Sequence, residues 1–274
     1  MKAVVMARGM GRRMRTGPSS STLTDEQAAA AAAGFKAMMP MGGASGEAGR
    51  PFLDYVLHEL AEAGVADVAL VVGPEHDHVR RWYAGSRRPA RLSVDFVVQP
   101  EPLGTADAVL AAEAWVDGAS FLVINGDNLY PAAALRSLIA LGAPGLAAFS
   151  RRELIDSGNI PADRIRAFAT VDVDAESNLL SIVEKPPAGA IPDDDGDQLV
   201  SMNCWRFDSR IFAYCRDVPR SPRGEFELPA AVMRAAGGGL TFRVVVAAGA
   251  VLDLSTRGDV AGLSRRLSER MIRL

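Results

Sequence analysis

Cysteine is nearly absent. Cys204 and Cys215 stand alone in 274 residues, too few for a disulfide framework, so both are expected as reduced thiols. No apolar run approaches the roughly 18 residues of a membrane span. The run after Lys2, Ala3 to Ala7, is too short for a signal-peptide core. These gaps point to a soluble, cytoplasmic chain with no membrane partner. Net charge is also small. Thirty Lys and Arg against 33 Asp and Glu give −3, which offers no electrostatic case for nucleic acid. Histidine is scarce as well: His76 and His78 flank Asp77 with too few ligands for a metal site, and read as a solvated turn. No Ser/His/Asp nucleophile set is evident, and no internal repeat supports a solenoid.

Two phosphate-binding signatures are missing too. After Gly9-Met-Gly11 a dinucleotide fingerprint needs glycine at position 14, which is Met14, and no Gly-Lys-Ser/Thr follows to make a Walker loop. What is present is an apolar strand, Lys2 to Ala7, running into a glycine turn and the cations Arg8, Arg12, Arg13 and Arg15, with Lys36 downstream. Backbone N–H groups and clustered positive charge at a strand end suit a small polyanion such as a triphosphate.

Short aliphatic runs then alternate with helical spacing. Asp67–Val72, Leu92–Val98 and Ser120–Ile124 read as buried strands, and Phe52, Tyr55, Val56, Leu60 and Ala63, then Ala106 to Trp115, as helices. Such repetition argues for a mostly parallel sheet covered on both faces. Thr24-Asp-Glu-Gln27, six alanines and Gly34 predict a capped helix inside a Gly17–Gly34 insertion, either a lid or a surface helix. Beyond Phe149 the pattern changes. Ile165–Val173 and Leu179–Val183 predict an antiparallel hairpin, Val200–Phe207 a further strand and Phe226–Ala236 a helix. Leu240–Val246 and Ala250–Leu254 predict short strands, and Thr256–Arg270 a terminal helix.

Three polar corners follow strands. Gln99 offers an amide to a nucleobase edge, Gly104 allows close backbone approach, and Thr105 is expected to begin a helix. Asp127 closes Ile124-Asn-Gly-Asp127 at the sheet's C-terminal edge, with Asp253 in an analogous place; converging, the two would supply hard oxygen ligands for Mg²⁺. Glu184-Lys185-Pro186 ends a hairpin strand with a fixed charge suited to a second, monoanionic phosphate.

With these motifs in this order, the chain resembles the sugar-1-phosphate nucleotidylyltransferases (nucleotide-sugar pyrophosphorylases). The residues that carry the likeness are Gly9/Gly11/Arg13, Lys36 with Pro40, Gln99 with Gly104-Thr105, Gly126-Asp127, Glu184-Lys185-Pro186 and Asp253, over roughly residues 1 to 260. The resemblance implies an α/β fold: a Rossmann-like, mostly parallel sheet flanked by helices, of the nucleotide-diphospho-sugar transferase type, with a small antiparallel sugar-binding subregion. It implies one domain over 1–274, with a nucleotide-binding part near 1–150, a sugar-phosphate part near 151–254 and a C-terminal helix over 255–274. Its substrates would be an NTP and a sugar 1-phosphate, with Mg²⁺ as cofactor and the oligomeric state left open. Arg13 and Lys36 would be catalytic. Gly9, Gly11, Gln99, Gly104 and Thr105 would bind nucleotide, Glu184, Lys185 and Asn203 the sugar phosphate, and Asp127 and Asp253 the metal.

Gln99 followed by Gly104 leans towards UTP or dTTP, while GTP- or ATP-using relatives share Leu-Gly-Thr-Ala. A catalytically silent nucleotide-sugar-binding regulator on the same fold is the rival. Arg8 replaces the usual Gly or Ala, Arg12 the usual Thr or Ser, and Asn203 a common glycine; Ala169 aligns with a sugar-contacting glycine. Arg8 and Arg12 would either add phosphate contacts or crowd the nucleotide, and an atypical sugar is expected. No hexapeptide repeats are present in the sequence, so an attached acyltransferase is not expected.

Overall fold

The structure is a computed structural model that describes residues 1–9, 11–17, 23–42, 49–85, 87–184 and 198–274. The first half runs β1 (Lys2–Met6), α1 (Arg12–Thr16), α2 (Asp25–Ala33), β2 (Pro40–Met41), β3 (Arg50–Pro51), α3 (Phe52–Glu62), β4 (Asp67–Val72) and α4 (Asp77–Ala84). There follow β5 (Ser93–Val98), α5 (Thr105–Ala111), α6 (Glu113–Val116), β6 (Phe121–Asn125), β7 (Asn128–Leu129), α7 (Ala132–Ala140) and β8 (Gly145–Ser150). The remainder is α8 (Arg151–Asp156), α9 (Ala162–Ile165), β9 (Ala169–Val173), β10 (Leu179–Val183), β11 (Leu199–Phe207), α10 (Ile211–Asp217), α11 (Leu228–Gly237), β12 (Arg243–Val246), β13 (Leu252–Asp253) and α12 (Arg257–Leu267).

The main sheet has the order β10-β9-β11-β6-β1-β4-β5, with β8 and β12 joined through β11. Strands β6, β1, β4 and β5 are mutually parallel, whereas β11 runs antiparallel to β6, β8 and β9. Period-two alternation fills two cores. Ala3 and Val5, Val68 and Leu70, and Leu122 and Ile124 enter one layer, while Val4, Val71, Phe121 and Val123 enter the other. Strands that must be apolar on both sides read as continuous aliphatic runs, which is why β1, β4 and β6 were legible in sequence.

Several expected elements differ. Residues 165–168 do not extend the hairpin strand: Pro161 caps α9, and β9 begins only at Ala169. The helix expected over Ala106–Trp115 is two segments meeting at Ala112. Helix α12 ends at Leu267, with Thr256 as its N-cap in a capping box with Asp259. Asp253 sits on β13, outside the main sheet, in a two-stranded ribbon with β7 that pairs Asp253 with Asn128. No described helix is long and apolar enough to cross a membrane, and both cysteines are buried free thiols.

Candidate active site

Three turns at the C-terminal ends of parallel strands build the site. After β1, Gly11 adopts φ +55°, a left-handed conformation that costs an L-residue about 1–2 kcal/mol. A Cβ there would collide with the backbone of Gly34, so only glycine lets these two turns touch. Gly34 itself is the left-handed C-cap of α2, whose capping box with Thr24 and Gln27 is as the sequence indicates. The helix is anchored through buried Gln27, which donates from Nε2 to the Pro40 carbonyl at 2.9 Å and to Ser264 Oγ at 3.1 Å. Lys36 leaves this cap and reaches across the cleft. Its Nζ lies 2.9 Å from Asp127 Oδ2, beyond the end of β6.

Asp127 and Asp253 converge by way of the ribbon. The Leu254 N–H donates to the Asp127 carbonyl at 2.9 Å, and Asn128 Nδ2 donates to Asp253 Oδ1 at 2.9 Å. Asn125 continues the chain, donating from Nδ2 to Asn128 Oδ1 at 2.9 Å. Asn159 grips the Asp253 backbone on both sides, at 2.8 Å each. Burial, then the neighbouring Asp127 charge, raises the Asp253 carboxyl above the usual range. Arg164 opposes this. Its Nη2 lies 3.2 Å from Asp253 Oδ2, misaligned for a hydrogen bond, while Nη1 donates to both Asp259 oxygens at 3.0 Å. Asp253 Oδ2 is thus a buried oxygen with no hydrogen-bond partner among the described residues, on a carboxyl that also feels the Asp127 charge. Such an oxygen fits a divalent cation. Two carboxylates with no third acidic, His or Cys ligand clustered among the described residues suit Mg²⁺, which keeps most of its waters.

Two adjoining cavities, of about 430 and 390 Å³, share Gly9, Arg13, Lys36, Asn125, Asp127, Asn203 and Glu225. The first continues over β4 and β5 to Gln99, Gly104 and Thr105; the second holds Gly11, Arg12 and Asp253. Sequence-predicted residues far apart in the chain therefore meet in one cleft. Asn203 enters it because β11 shifts register between Ser201 and Trp205, and Asn203 takes φ +56° in that bulge. Gln99 is buried, and its Nε2 donates to the Gly104 carbonyl at 3.1 Å and to Asp107 Oδ2 at 2.7 Å.

Other residues fall differently from expectation. Thr105 Oγ1 accepts the Leu228 N–H at 2.9 Å, tying α5 to α11, so its oxygen has a structural partner. Glu184 lines neither cavity and lies 3.8 Å from Arg223. Lys185 is outside the described residues. Arg8 does not join Arg12 and Arg13: those are exposed, whereas Arg8 is buried and turned towards Glu75. His76 and His78 are not a solvated turn but cleft wall, with His78 against Phe35 at 3.8 Å between ring centres. Burial lowers both imidazoles below their ordinary value. Asn125, Asn128, Asn159 and Arg164 were missed because lone amides and a single charge on the four-residue α9 carry no periodic signal.

The family described as nucleotidyl transferase matches residues 33–245. The chain belongs to that family. Among curated proteins it is similar to the bifunctional protein GlmU of Methanococcus vannielii, 26% identical over 187 residues, which are 68% of this chain and 40% of that protein. It is also similar to glucose-1-phosphate thymidylyltransferase of Streptomyces antibioticus, 27% identical over 98% of this chain and 67% of the relative. A UTP-bound UGPase from Acinetobacter baumannii shares the fold, with TM-score 0.74 at 20% identity, covering 99% of this chain and 95% of that one. The nucleotidyl transferase fold thus spans the whole described chain, with the cleft at the edge where parallel α/β sheets take ligands.

Proposed function

We propose that this nucleotidyl transferase moves a nucleotidyl group from an NTP, UTP or dTTP in preference, to a sugar 1-phosphate, giving an NDP-sugar and pyrophosphate. One observation carries the reading: Lys36, Asp127 and Asp253 meet beside Arg13 in a single cleft, although they come from four separate segments. The pyrimidine preference rests on Gln99 and Gly104, and on relatives named for thymidylyl transfer and for bound UTP.

In the mechanism, a phosphate oxygen of the sugar phosphate attacks the α-phosphorus in line as the bond to pyrophosphate breaks. Two anions must approach, so positioning and charge neutralisation dominate over bond-making by the protein. Gly9 and Gly11 offer backbone N–H groups to the nucleotide. Arg13 stabilises the departing pyrophosphate. Lys36 leaves Asp127 for the α-phosphate as negative charge develops there. Asp127 and Asp253 would hold Mg²⁺, which supplies further neutralisation of phosphate charge when bound. Residues 1–150 serve the nucleotide and 151–254 the sugar phosphate. Asn203 in its bulge and Lys185, the latter on sequence alone, complete the sugar side, and Glu225 joins them from the cleft wall.

The test is pyrophosphate release on mixing enzyme, Mg²⁺, each of the four NTPs and dTTP, and a panel of sugar 1-phosphates. Release that requires both substrates and is fastest with UTP or dTTP is expected. Tight nucleotide binding without release for any pair would support the silent regulator instead.

A further inference from the structure

Arg8 occupies the turn after β1, yet it faces away from the exposed arginines of α1. Only 9% of its surface is exposed. Its Nη2 lies 3.5 Å from Glu75 Oε1, beyond the end of β4, so the side chain is drawn across the sheet towards β5. Nε and Nη1 are buried and have no hydrogen-bond partner among the described residues. Arg8 lines the first cavity with Gln99, Pro102, Gly104 and His76, but not the second, where Arg12, Asp127 and Asp253 gather. Unpaired buried donors are costly, and a site that leaves them open is built to receive an acceptor.

Gln99 supplies the complementary group. Its amide nitrogen is already used by Gly104 and Asp107, so the oxygen is what it can offer to a ligand. A donor and an acceptor on one cleft wall match a base edge carrying a carbonyl beside a ring N–H. Uracil, thymine and guanine have that edge. Cytosine and adenine present an amino group beside an unprotonated ring nitrogen, the reverse pattern.

We propose that Arg8 is a specificity-determining residue that donates to a nucleobase carbonyl, with Glu75 orienting it, and so selects keto bases over amino bases. The inference rests on the nucleotide reading above and deepens it. A side chain placed for phosphate would instead favour every nucleotide alike, and one that merely crowds the cleft would weaken every nucleotide alike.

Isothermal titration of the full chain with UDP, CDP and inorganic pyrophosphate separates these. The wild type is expected to bind UDP at least about tenfold more tightly than CDP, since mispaired buried polar groups discriminate strongly. Arg8→Ala and Arg8→Met should each weaken UDP by about tenfold or more while leaving CDP and pyrophosphate nearly unchanged. In turnover, KM for UTP should rise with kcat largely retained. Arg8→Met keeps the apolar stem, and a melting temperature near that of the wild type is expected and checks that the fold survives. Equal loss for UDP, CDP and pyrophosphate would make Arg8 a phosphate contact and overturn the inference. Tighter binding of every ligand would mark it as an obstruction, and unchanged UDP affinity would also overturn it. Absence of nucleotide binding by the wild type would instead overturn the functional reading itself.

Discussion

Lys36 and Asp127 hold each other, Nζ to Oδ2 at 2.9 Å, which joins the turn after α2 to the end of β6. Each is partly accessible, with side-chain exposures of 16% and 30%. The pair lies where the two cavities meet, and the proposed reaction calls there for a cation beside phosphate and an anion beside a metal. Lys36→Ala is expected to lower kcat for pyrophosphate release by about 10²–10³-fold, the range for removing one preorganised charge partner. Stability should change by only about 1 kcal/mol or less, as is usual for partly exposed pairs. Stopped-rate assays and urea unfolding check the two halves. Asp127→Asn combined with Lys36→Ala should cost less than the sum of the two, because the residues act as a unit.

Two glycines of the same turn separate folding from binding. A Cβ on Gly11 would strike the Gly34 backbone, so Gly11→Ala must push apart the turns that deliver Arg13 and Lys36. Its expected cost is about 2 kcal/mol or more, with activity lost. Nothing lies within 4 Å of a Cβ on Gly9. Gly9→Ala should therefore keep its melting temperature and raise KM for NTP, because the added methyl enters only the space the nucleotide would use. Differential scanning fluorimetry with initial rates on both variants tests the contrast.

How far the sequence foretold this site follows from where each residue lies. Buried parallel strands cannot hide, since β4 and β6 must be aliphatic on both faces, and polar residues ending them stand out at once. Asp127 was found that way, beyond the end of β6, whereas Gln99 follows β5, a half-buried edge strand whose run of Val94, Phe96, Val97 and Val98 still marks it in the sequence. Asp253 was found by position alone, because its strand is two residues long and lies in a ribbon with β7 that no periodicity announces. The shift in β11 that turns Asn203 into the cleft depends on pairing with β8, a strand the pattern did not reveal. Arg8 shows the remaining gap. Adjacent arginines in sequence imply one charged cluster, but which of them is buried is decided by Glu75, 67 residues away.

His76 gives the pH dependence a sign. Burial lowers its pKa from 6.5, outweighing the pull of Glu75 at 3.9 Å, and its Nδ1 accepts the Gly73 N–H at 3.1 Å, which a protonated ring could not do. The folded state therefore binds fewer protons than the unfolded chain below pH 6.5. The contribution is complete above that pH and is lost as pH falls through the depressed folded value. Urea unfolding across this range should show wild type losing stability relative to His76→Gln as pH drops, while a constant difference would contradict the assignment.

Thr105 is expected to matter more for architecture than for contact with nucleotide. Its Oγ1 accepts the Leu228 N–H, and the Ala106 N–H donates to the Phe226 carbonyl at 2.9 Å, so the 99–105 loop is docked on the start of α11. Thr105→Val preserves shape but leaves the Leu228 N–H unpaired, at a cost of about 1–3 kcal/mol. Thr105→Ser should restore the bond and the stability. If Val were tolerated while KM for NTP rose steeply, the hydroxyl would belong to the nucleotide instead.

Arg164 sits behind the two-carboxylate centre and serves Asp253 and Asp259 at once. Asp259 also closes the capping box of α12, accepting the Thr256 N–H at 2.7 Å, so one guanidinium couples the end of β13 to the helix that follows. Removing it leaves the buried Asp253 carboxylate without a cation and Asp259 with only its capping donors. Arg164→Met is expected to destabilise the protein by about 3–5 kcal/mol, the cost of breaking a buried pair from one side. Arg164→Lys can neutralise only part of this, since an ammonium cannot span both acids in the geometry of a planar fork. Mg²⁺ should stabilise the wild type against heat, because an ion that binds only the folded state raises its melting temperature, and Asp253→Asn should abolish that increment. Loss of the Mg²⁺ increment in Asp253→Asn with normal folding would tie this carboxylate to the ion, whereas an unchanged increment would place the ion elsewhere.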